Sequence, residues 1–203
     1  MPNQLTKGEN PMKKLLAVLL VIAMILTCTA CNGKKNNAKN IFSLGTLNGQ
    51  SYINNFLGLG CLMPSNWTML DSEKLQKIPV EDGEVCAMYA TASAREVVRI
   101  DFRPMSEDQL NSLDLEQFCT DYLTGLNPFM EDAANPVQDS YQSISVTIGR
   151  EPLNGVSRVV SQNDITIYYA AFAIKCDGYV ARISINSFVN GRTEQIMSRF
   201  YRT

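Results

Sequence analysis

The chain has 203 residues, with 18 lysines and arginines against 20 aspartates and glutamates, and no histidine. Without an imidazole, neither a Ser–His–Asp nor a Cys–His nucleophile system can be built, and the commonest metal ligand is missing. Six lysines and one glutamate precede residue 47, so the remainder carries a net charge of −7 and no electrostatic footprint for nucleic acid.

Lys13-Lys14 open onto an unbroken apolar run over residues 15–26. That is too short to span a bilayer as a single helix and fits the core of a signal peptide, with Met12 as its start. Cys28-Thr29-Ala30-Cys31 then resembles the lipobox of bacterial lipoproteins, with Cys28 where that family usually has leucine. The resemblance implies that residues 1–30 are removed and that Cys31 takes a diacylglyceryl group. Two acyl chains anchor a protein stably at the extracytoplasmic face of the cell membrane. Read instead as a redox pair, Cys28 and Cys31 lack the strand–helix setting of such motifs. Residues 31–46 form a flexible linker, and its lysines are attracted to an anionic surface that mildly repels the acidic remainder.

Residues 47–203 are enough for one domain that buries roughly 70% of its unfolded surface without disulfides or metal. Residues 51–63 read as one strand, with Leu57, Leu59, Cys61 and Met63 on one face. Asp71 caps a short helix running to Ile78, and residues 81–84 form a turn. Residues 85–91 and 96–102 read as a hairpin, with Val98, Ile100 and Phe102 facing in and Arg99, Asp101 and Arg103 facing solvent. Asp114, with Gln117 as a capping box, starts the clearest helix. Leu115, Phe118, Cys119, Tyr122, Leu123 and Leu126 form its single apolar stripe, and Asn127-Pro128 ends it. Ile144, Val146 and Ile148 alternate in a strand, and Asn154-Gly155 reads as a tight turn before strands 156–161 and 165–176. A two-residue turn at Asp177-Gly178 pairs Cys176 with Tyr179, Ile174 with Ala181, Phe172 with Ile183 and Ala170 with Ile185. Thr193 caps a last helix with Ile196, Met197, Phe200 and Tyr201 inward. This order predicts an α+β domain, an antiparallel sheet flanked by helices.

Ser51-Tyr52-Ile53-Asn54-Asn55-Phe56-Leu57-Gly58-Leu59, then Met63-Pro64-Ser65-Asn66-Trp67, resembles the opening of the PsbP-like lipoproteins of Firmicutes. The later Asp-Gly-Tyr hairpin and C-terminal amphipathic helix are similar too. The resemblance implies an α/β/α sandwich, shared with photosystem-associated PsbP and a nuclear Ran-binding protein. It also implies a binding or assembly role rather than catalysis. It carries over no functional residues, because the matching positions are turns and core.

Cys61, Cys86, Cys119 and Cys176 allow three full pairings that spacing does not resolve; core-facing positions favour buried thiols. Arg99 and Arg103 could bind an anion, although with Asp101 they also compensate one another. Trp67 could stack on a ligand, although beside Pro64 it more often seals a core edge. Glu81, Asp82 and Glu84 lack the periodicity of a calcium loop. No metal or cofactor is expected. The reading is a membrane-tethered, non-catalytic module for an unknown protein or small-molecule ligand. The alternative is a carboxylate-dependent hydrolase of envelope glycan, which needs two acids meeting in a cleft.

Overall fold

The computed structural model describes residues 41–81, 83–129 and 134–203; Cys28, Cys31 and the segments read as signal and linker up to residue 40 lie outside them, as does Asp82. The described strands are β1 (Thr46–Asn48), β2 (Ser51–Asn54), β3 (Leu59–Leu62), β4 (Thr68–Met69), β5 (Val85–Ser93) and β6 (Glu96–Pro104). They continue with β7 (Gln138–Ile148), β8 (Glu151–Gln162), β9 (Ile165–Cys176), β10 (Tyr179–Ser187) and β11 (Phe200–Arg202). The helices are α1 (Ser72–Leu75), α2 (Glu107–Ser112), α3 (Leu115–Gly125) and α4 (Arg192–Met197). A large sheet runs β4-β5-β6-β10-β9-β8-β7 and a small one β1-β2-β3-β11, with every pairing antiparallel. The expected α+β class with an antiparallel sheet and helices against it is what the chain forms.

Apolar side chains of the large sheet lie on both faces. Ile100, Phe102, Phe172 and Ile183 pack toward Tyr52, Leu59, Cys61 and Phe200 of the small sheet and Ile196 and Met197 of α4. On the opposite face, Val156, Ala171, Ala173 and Val180 receive Leu110 of α2 and Phe118, Cys119 and Leu123 of α3. Alanines at 171 and 173 leave room for the helix, and burying each large apolar side chain contributes about 1.5–3 kcal/mol.

The β9–β10 register matches all four pairs expected from Asp177-Gly178. Other elements differ from expectation for local reasons. Residues 51–63 form a hairpin rather than one strand. The buried Asn54 side chain accepts from Leu57 N–H at 2.9 Å and donates to the Ser43 carbonyl, closing a turn between β2 and β3. Asn154-Gly155 lies inside β8; the turn falls at Gly149-Arg150, between the paired Ile148 and Glu151. Asp114 caps α3, but Gln117 bonds Asp121 and completes no capping box. That box belongs to Ser106 and Gln109 at the start of α2, a helix too short to show a periodic stripe. Gly191, not Thr193, stands at the N-cap of α4, and Phe200 and Tyr201 leave the helix to pair with β3.

Candidate functional site

Strand alternation places Arg99, Asp101 and Arg103 on one face of β6, but that face is not solvated. Asp101 is 1% exposed, because α3 lies across it. Alternation tells which residues share a face and not whether a second layer covers that face. Beneath the helix sits Arg182 of β10, 2% exposed, directly paired with Asp101 in the register. Its guanidinium donates to both carboxylate oxygens of Glu84, at 3.1 and 2.8 Å, and to Asp101 at 3.4 Å. The Tyr122 ring of α3 covers it at 3.6 Å, a cation–π contact in a dry setting. Arg103 donates to Glu84 at 3.0 Å and to Glu81. Arg99 donates from Nη2 to Asp101 at 2.6 Å and to the Pro79 carbonyl at 3.2 Å. Three cations meet three anions, and the cluster is neutral as a whole. Of the acids weighed above for calcium, Glu81 and Glu84 are thus engaged by arginines.

Beyond α3 a groove of about 300 Å³ opens on the sheet. Its floor carries Tyr89 and Ser184, both register partners of Arg99, with Asn186 beside Tyr169 on the next row. Tyr122 and Leu126 of the helix end form one wall. Tyr122 donates to the Ser184 hydroxyl at 3.3 Å. The wall is held by Arg158 of β8, which donates to the carbonyls of Leu123 and Leu126 and is itself gripped by Asp139 at 2.7 Å. A cation at these carbonyls also suits the helix dipole. Of the three candidate ligand residues, only Arg99 lines this groove. Arg103 is spent on Glu81 and Glu84. Trp67 is 5% exposed in the core and borders a recess of about 50 Å³ beside Arg192 and Arg199. Tyr89, Tyr122, Tyr169 and Asn186 were not singled out in the sequence as ligand contacts. The Asp177-Gly178 register puts Asn186 opposite Tyr169, but the β6–β10 pairing that adds Arg99 and Tyr89 has no local signal.

A second cavity, about 250 Å³, lies between the first strand segment, α1 and the start of β5. Leu44, Leu47, Leu70, Leu75, Ile78 and Met88 are among its walls. A bulge between Cys86 and Met88 breaks the β5–β6 register here, and the three consecutive residues Cys86, Ala87 and Met88 are all buried. Among the described residues, no three His, Cys, Asp or Glu side chains gather as a metal site.

Solved structures are similar to this chain in part. The chain is similar to cyanobacterial PsbP (CyanoP) from Synechocystis sp. PCC 6803, with a TM-score of 0.46 and 12% identity over 84% of this chain and 100% of that one. A protein from Bacteroides thetaiotaomicron VPI-5482 is similar at a TM-score of 0.41 and 10% identity over 77% of this chain; the match spans 49% of that protein's length. LpqN of Mycobacterium tuberculosis, described as involved in cell envelope biogenesis, is similar at 0.37 and 15% identity over 71% of this chain and 83% of its own. No family model and no curated protein matches.

Cys61, Cys86, Cys119 and Cys176 are free thiols, the first three buried. Burial pushes Cys61, Cys86 and Cys119 up to about 12 and Cys176 to about 11. Their thiolate fraction at neutral pH is therefore far below that of an ordinary cysteine, and reactivity follows the thiolate. We expect maleimide at neutral pH to leave these four unlabelled in the native full chain and to label all of them in denaturant, as read by peptide mass mapping. Reductant should leave the thermal midpoint unchanged. Prompt native labelling of Cys61 or Cys119 would contradict the packing described.

Proposed function

We propose that this protein is a membrane-anchored extracytoplasmic lipoprotein whose folded part binds a polar, hydroxyl-bearing ligand without chemically changing it. The observation carrying this reading is the Arg99 groove. Three tyrosines, a serine and an amide meet there around one guanidinium, on a floor fixed by the buried ion cluster. Aromatic faces with a few convergent hydrogen-bonding groups are what a small polar ligand needs. The anchor rests on the apolar run of residues 15–26 and on Cys31. Against catalysis stands the absence of histidine, together with the state of Glu84 and Asp101. These two acids share Arg182, with side chains 1% and 0% exposed, so no substrate reaches them as a pair.

Two measurements test the proposal. Cys31→Ala in the producing cell should shift the protein out of the membrane fraction and remove the lipid mass; unchanged fractionation and mass would refute the anchor. For the groove, the full chain is titrated with chitotetraose, a soluble N-acetylglucosamine oligomer. Saturable binding is expected, weakened about 2- to 10-fold by Tyr169→Phe and by Asn186→Ala, the value of one hydrogen bond each. Binding indifferent to both changes, or no binding, rejects this ligand class. Cleavage of the oligomer would instead establish the hydrolase.

A further inference from the structure

We propose that the cavity between α1 and the start of β5 is a second binding site, which takes the hydrocarbon chain of a single-tailed amphiphile with an uncharged or zwitterionic head. Its volume, about 250 Å³, exceeds the ~150 Å³ of an apolar protein cavity known to stay dry and to admit benzene. At about 30 Å³ per water-sized group, it holds on the order of eight methylenes.

Four observations converge on that occupant. The walls are aliphatic, from Leu44 and Leu47 through Leu70 and Leu75 to Val85 and Met88. The mouth is apolar as well: Leu44, Val80 and Val85 remain 38%, 39% and 43% exposed, a cluster that marks an apolar ligand or surface. The helix α1 has no buried residue; its Leu75, and Ile78 just beyond it, border the cavity rather than a packed core. The β5 bulge puts Met88 rather than Ala87 opposite Ile100, so that small Ala87 and Met88 both border this space, where a straight strand would have sent Met88 to the other face.

The head-group class follows from charge. The lining includes no lysine or arginine, and its one acid, Glu84, is held by Arg103 and Arg182. Ser72 and Gln76, both exposed on the α1 side, supply hydrogen-bonding groups at the rim. The site shares no lining residue with the Arg99 groove and does not depend on lipidation at Cys31.

The probe is a lysophosphatidylcholine whose acyl chain carries a diazirine, added from solution to the full chain and photolysed, with labelled sites mapped by mass spectrometry. Labelling should concentrate in residues 44–52 and 70–88 and saturate. Ala87→Phe, which fills the cavity, and Val80→Asp, which charges its exposed rim without touching the core, should each cut that labelling at least fivefold. Thermal melts confirm that each variant folds, and Val80→Asp keeps the test valid if Ala87→Phe does not. Labelling spread evenly over the chain, or unchanged in a folded variant, overturns the proposal. If labelling appears only in Cys31→Ala, the chain's own anchor is the occupant and the proposed foreign amphiphile is wrong.

Discussion

Replacing Arg182 by methionine is expected to destabilise the fold by about 3–5 kcal/mol, a drop in Tm of roughly 10 °C for a domain of this size. Methionine fills most of the volume, so the loss is electrostatic. Glu84 and Asp101 would keep their positions beside β10, each nearly sealed from water, with their shared cation gone. An unpaired buried carboxylate is among the costliest defects a core can carry, whereas removing a whole buried ion cluster is often close to neutral. The triple variant Arg182→Met, Glu84→Gln, Asp101→Asn should therefore recover most of the lost stability. Chemical denaturation of the three proteins measures this directly. A single variant as stable as the parent would mean that water reaches the cluster. A triple variant no better than the single would mean that Tyr122 stacking on the guanidinium, not charge pairing, is the main contribution.

The same cluster shows how far the sequence could be read. Period-2 alternation grouped Arg99, Asp101 and Arg103 on one face of β6, and the helix stripe from Leu115 to Leu126 called for a sheet to cover. Putting the second onto the first was not possible, because their meeting depends on β10 lying between β6 and β9. Nothing local encodes that order: Arg99 and Ser184 are 85 positions apart and pair only through the long return of the chain. The Asp177-Gly178 hairpin was legible in full, because turn type and apolar pattern agree on one register. The groove was legible only in Arg99, since its tyrosines and amide come from rows that form when three strands are already aligned. The apolar cavity was hidden for a different reason. A bulge breaks alternation, so Cys86, Ala87 and Met88 carry no periodic signal.

Gly155→Ala is expected to cost about 3 kcal/mol or more, which distinguishes a strand glycine from a turn glycine. An Asn-Gly dipeptide between apolar runs reads as a two-residue turn, but here the chain turns earlier, at Gly149, and Gly155 is buried opposite Phe172. Its missing side chain is what matters. A Cβ at this position would stand 2.3 Å from the Ala171 carbonyl oxygen and 2.5 Å from the Phe172 ring. The first of these is backbone in a central strand pair, and Phe172 is fully buried, so neither moves without parting β8 from β9. Overpacking of a close-packed core typically costs about 1–3 kcal/mol, and a clash with paired backbone belongs at the top of that range or beyond. Gly178 is the internal control. It holds φ +75 in the β9–β10 turn, and a methyl group added there would meet nothing within 4 Å. Alanine at 178 therefore meets only the left-handed backbone penalty, about 1 kcal/mol. Asparagine, which tolerates that conformation, should cost less still at 178 and more than alanine at 155. Denaturation midpoints of the four single variants decide the matter: the order Gly155→Asn, Gly155→Ala, Gly178→Ala, Gly178→Asn, from least to most stable, follows from the packing, and a mild Gly155→Asn would restore the turn.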